Sequence, residues 1–163
     1  MSRTSRITGF SREVINRIQV KLPALSVNEG MARAAVAAFI SQLDPGVTEI
    51  ADIKCAVSEA VTNAIVHGYR DSTETGSITL TVSILAGRTV KIEIKDKGCG
   101  IPDVGQARMP LYTTDAAGER SGMGFTVMES FCDELRVTSR LGRGTTVSLL
   151  KRLQPNRDNR NGS

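Results

Sequence analysis

The chain has 163 residues, 40% of them apolar, which suits a single domain with a real core, and no apolar run reaches the roughly 18 residues of a membrane span. The net charge of +4 and pI near 9.2 do not mark a nucleic-acid binder, because residues 1–13 carry +2 and residues 151–163 carry +3, leaving −1 for residues 14–150. Cys55, Cys99 and Cys132 are widely spaced beside a single histidine, His67, which excludes a zinc site and a disulfide framework in favour of three reduced thiols.

Residues 1–13 are polar, basic and aperiodic, and are expected to be disordered. No apolar block follows them, so no signal peptide is expected and the chain reads as cytoplasmic. Arg17 to Leu22 alternates and predicts a first strand, closed by Pro23. Ser26 or Asn28 is placed to cap a helix running to about Leu43, with Met31, Ala34, Ala35, Ala38 and Phe39 as its buried side. After the turn Asp44-Pro45-Gly46, a second helix is expected from about Val47 to Tyr69. Its residues Ile50, Ile53, Val57, Ala60, Val61 and Ala64 share one face. Glu59 and Asn63, four apart, share a stripe on its flank, where a cleft can open.

Ser77 to Leu85 and Thr89 to Lys95 read as two alternating strands joined at Ala86-Gly87-Arg88. Residues 101–121 show no sustained period. A loop of that length inside a compact domain is unusual and typically a lid. A third main helix over Gly122 to Phe131, strands over Glu134 to Ser139 and Thr145 to Leu150, and a frayed tail over 154–163 complete the chain.

The chemistry gathers around Asp96-Lys97-Gly98-Cys99-Gly100 at a strand end. A carboxylate beside backbone without Cβ atoms lets a flat ligand come close and accepts a hydrogen from its edge. A lone Asp-Gly cluster more often simply ends a strand. Here it stands between Glu59-xxx-Asn63 upstream and Gly122-Met123-Gly124, then Gly144-Thr145-Thr146, downstream. Asn63 offers a neutral oxygen, enough for a magnesium ion that bridges phosphates and keeps its waters. Glu59 is a carboxylate placed to orient or deprotonate an attacking hydroxyl. Gly122 and Gly124 open a helix, where backbone N–H groups and the positive dipole end favour phosphate. Thr145 and Thr146 fit either a role at the base or ordinary strand positions, and Cys99 fits either the pocket wall or packing. His67 reads as a structural histidine. Neither a Walker pattern nor a Rossmann fingerprint is present.

Four separated motifs in this order resemble the ATP-binding fold shared by gyrase, Hsp90, histidine kinases and MutL, over about residues 17–151. The resemblance implies an α+β, two-layer sandwich: a mixed, mostly antiparallel sheet covered on one face by helices. An N-terminal extension of 1–15, an ATP-binding kinase domain of 16–152 and a flexible tail of 153–163 are expected. The segment Met109 to Thr114 and the run Glu119 to Glu129 narrow this to the anti-sigma factor kinases of Gram-positive bacteria. Val36 to Pro45 and Val57 to Tyr69 look closest to their sporulation sigma-F branch.

That resemblance implies a dimeric protein that uses ATP or ADP with Mg2+, holds a sporulation sigma factor inactive, and phosphorylates a serine of an anti-anti-sigma protein. Glu59 then matches the base and Asn63 the metal ligand. Asp96, Gly98, Gly100, Gly122, Met123, Gly124 and Thr145 match the nucleotide pocket. Thr113, Thr114, Arg120 and Ser121 match a lid that contacts phosphates, and Arg33 matches a partner-contact arginine. Three departures stand out, one being that the lid segment Asp115 to Gly118 is less charged than usual. Residues 1–13 precede the family's usual start, and Lys97 and Cys99 replace its commoner acidic and aliphatic residues. A nucleotide-gated sigma-binding module with little kinase activity, or the stress-response relative of the family, remains the alternative.

Overall fold

The computed structural model describes residues 12–70, 72–110 and 124–155. Its centre is a five-stranded sheet in the order β1-β2-β3-β5-β4, built from β1 (Val14–Pro23), β2 (Ser77–Leu85), β3 (Thr89–Asp96), β4 (Glu134–Arg140) and β5 (Gly144–Arg152). Every ladder among the described residues is antiparallel. The alternation that marks the strands sets the faces. Ile78, Leu80, Val82 and Ile84 of β2 and Val90, Ile92 and Ile94 of β3 are buried. Thr79, Thr81, Lys91, Glu93 and Lys95 lie between them on the other face and keep more solvent contact. The β2–β3 link is as expected, with Gly87 and Arg88 both at positive φ (76° and 52°).

Helices α1 (Asn28–Ile40), α2 (Val47–Asn63) and α4 (Gly124–Phe131) supply the apolar side chains that cover the buried face. The expected two-layer α+β fold is therefore present. α2 buries Ile53, Ala56, Val57, Ala60 and Val61, close to the stripe its spacing predicts. Its first turn is held by Glu49, whose carboxylate accepts the Gly46 N–H at 2.9 Å and the Gln154 N–H at 2.7 Å. The second bond ties the end of the described chain to the start of α2.

Several expectations are corrected. β1 begins at Val14, three residues before Arg17 and inside the stretch set apart as an extension. α1 buries Ala32, Val36 and Ile40, whereas Met31 is 57% exposed and Ala34 and Ala38 face solvent. Ala35 and Phe39 only flank the core. Alanines all round that helix weaken its period, and the larger Met31 and Phe39 mislead. No side chain caps α1; the Asn28 amide reaches back to the Pro23 carbonyl at 2.9 Å instead. The helix ends at Ile40 and tightens into a 3₁₀ turn, Ser41–Leu43. α2 stops at Asn63 and continues as a π-helical turn, Ala64–Gly68, before Tyr69. Within residues 101–110 there is one helical turn, α3 (Val104–Ala107), capped by the Asp103 carboxylate on the Gln106 N–H at 3.0 Å.

Candidate functional site

The end of α2 and the end of β3 meet, and glycines make the approach possible. A Cβ at Gly98 would lie 2.0 Å from the Gly68 carbonyl oxygen, so no other residue fits there without moving the backbone. The Cys99 N–H donates to that same oxygen at 2.7 Å, and the Cys99 thiol lies 3.2 Å from the His67 carbonyl. Gly100 has φ +77°, and a Cβ there would come within 2.2 Å of the Arg140 carbonyl. The Gly142 N–H closes this side by donating to the Cys99 carbonyl at 2.8 Å. The Asp-x-Gly-x-Gly stretch is thus clasped between the π-helical turn and the β4–β5 turn.

Asp96 ends β3 and is 5% exposed. Its Oδ1 accepts the Gly98 N–H at 2.9 Å. Burial pushes its carboxyl above the ordinary carboxylate value, while hydrogen bonds from the backbone of Gly98 and Thr145 pull the other way. A Cβ on Gly68 would lie 3.1 Å from this carboxylate, so helix end and strand end are in contact at the acid itself. Thr145 is 9% exposed, and its hydroxyl lies 2.8 Å from the Ser139 hydroxyl. Ser139 in turn accepts the Ile101 N–H at 2.7 Å, which fixes the chain as it leaves the glycine stretch.

Five residues before Gly68, Asn63 lies against the start of α4. A Cβ on Gly124 would fall 3.0 Å from Asn63 Nδ2 and 3.1 Å from Oδ1. The amide thus sits beside the end of α4 that carries the positive end of its dipole. Glu59, one turn earlier on α2, is partly buried. The structure therefore brings Asn63, Asp96, Gly98, Gly100, Gly124 and Thr145 to one region around the end of α2, with Glu59 one turn away. Arg33 is elsewhere: it lies on α1, its side chain 42% exposed, 3.6 Å from Glu29. Thr113, Thr114, Arg120, Ser121, Gly122 and Met123 lie outside the described residues.

Three contributors were not singled out from the sequence as site residues. Gly68 and Tyr69 fall at the end of the expected second helix, and Ser139 at the end of an expected strand. A glycine at a helix end and another beside the strand-end acid are the one signal in the chain that could mark such a close approach. All three cysteines are free, Cys55 exposed and the others half-buried. Among the described residues, no group of three or more His, Cys, Asp or Glu side chains is arranged to hold a metal. The Asn63 amide oxygen on α2 is a donor of the kind that suits a magnesium ion retaining most of its waters.

Comparison with known proteins agrees with these features. The histidine kinase-like ATPase domain family matches residues 22–151. The anti-sigma F factor of Anoxybacillus flavithermus is 51% identical over 138 residues, 85% of this chain and 93% of that protein. That of Pasteuria penetrans is 48% identical over 143 residues, 88% of this chain and 95% of that protein. In three dimensions the chain resembles the RsbU and RsbW domains of a Mycobacterium tuberculosis protein, with a TM-score of 0.64 and 24% identity. That likeness covers 87% of this chain and 34% of the mycobacterial one. The histidine kinase domain of Erythrobacter litoralis gives 0.52 at 22% identity. At such identities the structures speak for the fold alone.

Proposed function

The chain belongs to the histidine kinase-like ATPase domain family and, within it, to the anti-sigma F factors, and on that premise we propose that it is an ATP-dependent serine kinase. In this reading it also binds and inhibits a sporulation sigma factor of the F type. Its phosphoryl acceptor is a serine on the anti-anti-sigma protein that would otherwise displace the sigma factor. The kinase domain spans residues 16–152. It acts as a cytoplasmic homodimer, and Arg33 on the exposed side of α1 contacts the partner. No helix among the described residues is long and apolar enough to cross a membrane.

The observation that carries this reading is the meeting of Asn63, Asp96, Gly98 and Gly124 from separate elements at one helix end. Each has a part in the proposed chemistry. Asp96 accepts a hydrogen from the adenine amino group, and Gly98 and Gly100 leave the ring room to lie against backbone. Thr145 holds Asp96 through its N–H. The backbone of Gly122, Met123 and Gly124 receives phosphate oxygens, and Thr113, Thr114, Arg120 and Ser121 contact them as well. Asn63 would hold the metal, and Mg2+, when bound, would offset charge on the phosphates. Glu59 orients the serine hydroxyl and takes its proton as the Oγ–phosphorus bond forms and the bond to the ADP leaving group breaks. Positioning and charge stabilisation are most of what phosphoryl transfer needs.

The test is mass spectrometry of a candidate anti-anti-sigma protein after mixing with the chain and Mg-ATP. One added phosphate on a serine is expected, lost with Glu59→Gln while ATP binding remains. Tight ATP binding without any phosphate on the partner would instead favour a nucleotide-gated binding module.

A further inference from the structure

Tyr69 stands between the two elements that build the base end of the site. It follows the π-helical turn directly, and its hydroxyl makes two hydrogen bonds to backbone. It donates to the Ser77 carbonyl at 2.5 Å and accepts the Lys97 N–H at 2.9 Å. The β2–β3 ladder runs from Leu85↔Thr89 to Ile78↔Asp96. Continued by one step, that register would pair Ser77 with Lys97. The ladder stops there, and the phenol oxygen occupies the place of the direct bond between them.

A direct N–H to carbonyl bond holds its heavy atoms about 2.9 Å apart. An oxygen inserted between donor and acceptor must spread them, so β3 leaves β2 immediately after Asp96. The released backbone goes to the end of α2, where the Cys99 N–H meets the Gly68 carbonyl. The ring of Tyr69 has a fixed seat as well. A Cβ on Gly76 would lie 2.1 Å from Tyr69 Cε1, so the ring packs against a residue with no side chain. The ring is seated on Gly76, and the hydroxyl bridge at Lys97 and the glycine approach at Gly98 and Cys99 act on adjoining residues.

Resting on the nucleotide reading of this site, we propose that Tyr69 is a positioning residue. It wedges β2 and β3 apart, sets where Asp96 and Gly98 lie, and so governs preference for adenine over guanine nucleotides. Tyr69→Phe keeps the ring on Gly76 and removes only the bridging oxygen. Titrating Mg-ATP and Mg-GTP into the full chain, wild type and variant, should show ATP affinity falling by up to about tenfold, the scale of one lost hydrogen bond. The ATP-to-GTP preference should fall by a similar factor. A purely structural role would lower the melting temperature and weaken both nucleotides alike, and that result would overturn the proposal. So would a variant with wild-type affinity and preference. If the variant does not fold, amide hydrogen exchange on the wild type decides: the Lys97 N–H should be protected, and exchange at the rate of an open strand end would overturn the wedge. Wild-type chain that binds neither nucleotide would overturn the nucleotide reading, and this proposal with it.

Discussion

Asp96 carries opposing demands in one side chain. Accepting a hydrogen from a ligand requires the carboxylate form, yet burial favours the neutral acid and raises its pKa above the ordinary 3.8. An acid with a raised folded-state pKa takes up its proton in the folded chain before it does so in the unfolded one. It therefore adds stability as the pH falls through that value and withholds it at higher pH. ATP affinity should move the opposite way, dropping as acidification neutralises Asp96, at a pH above the ordinary value for this carboxyl. Binding isotherms taken through that pH should show the decline in wild type and a flatter profile in Asp96→Asn. Identical pH profiles would remove Asp96 from the base contact. The part of the site legible at this scale was the part written in unusual residues: Asp96, Gly98, Gly100, and Asn63 four residues from Glu59. Tyr69 and Ser139 were not legible, because Tyr69 bonds backbone groups and Ser139 bonds a neighbouring strand. Such partners leave no spacing in the chain. Thr145, open between two roles in the sequence, has its hydroxyl beside Ser139 and its backbone on Asp96.

Among the elements, α2 was legible because its large apolar residues recur strictly while its flank stays polar. The π-helical turn that ends it was not, since widening one turn changes the path of the backbone without changing the pattern of residues. α1 is the helix its sequence predicts, but turned about its axis from the face expected. Its run of alanines fits several faces, and only packing on the sheet selects Ala32, Val36 and Ile40. α4 is short, so its stability comes from what it buries rather than from its own hydrogen bonds. Phe125 and Met128 are its buried residues, with Met128 at 0% exposure, and the helix packs on α2 beside Asn63. Met128→Ala should cost about 2–5 kcal/mol, the range for emptying a methionine site in a packed core. Urea unfolding measures this, and a loss well under 1 kcal/mol would mean that α4 is not docked as described.

Over the whole molecule, the site exists only because the fold joins distant stretches. Residues 63, 96, 124 and 145 come from α2, β3, α4 and β5, and the order β1-β2-β3-β5-β4 places β3 and β5 side by side at the sheet's centre. Register along β3 and β5 pairs Ile94 with Val147 and Lys95 with Thr146, which brings Thr145 to the end where Asp96 lies. That pairing is non-local and could not be read from one strand alone; the order of the four motifs carried it instead. Charge tells the same story at this scale. Residues 14–150 are nearly neutral and the excess of positive charge lies in residues 1–13 and 151–163, so specificity must come from the shaped site. The measurement that bears most directly on a single ATP site at the end of α2 is calorimetric titration of ATP, with and without Mg2+, into wild type and Asn63→Ala. One nucleotide per chain is expected, with affinity that depends on Mg2+ and falls by about tenfold in the variant, as for loss of a charge-assisted contact. No binding by wild type, or affinity unchanged by both Mg2+ and the substitution, would contradict the account.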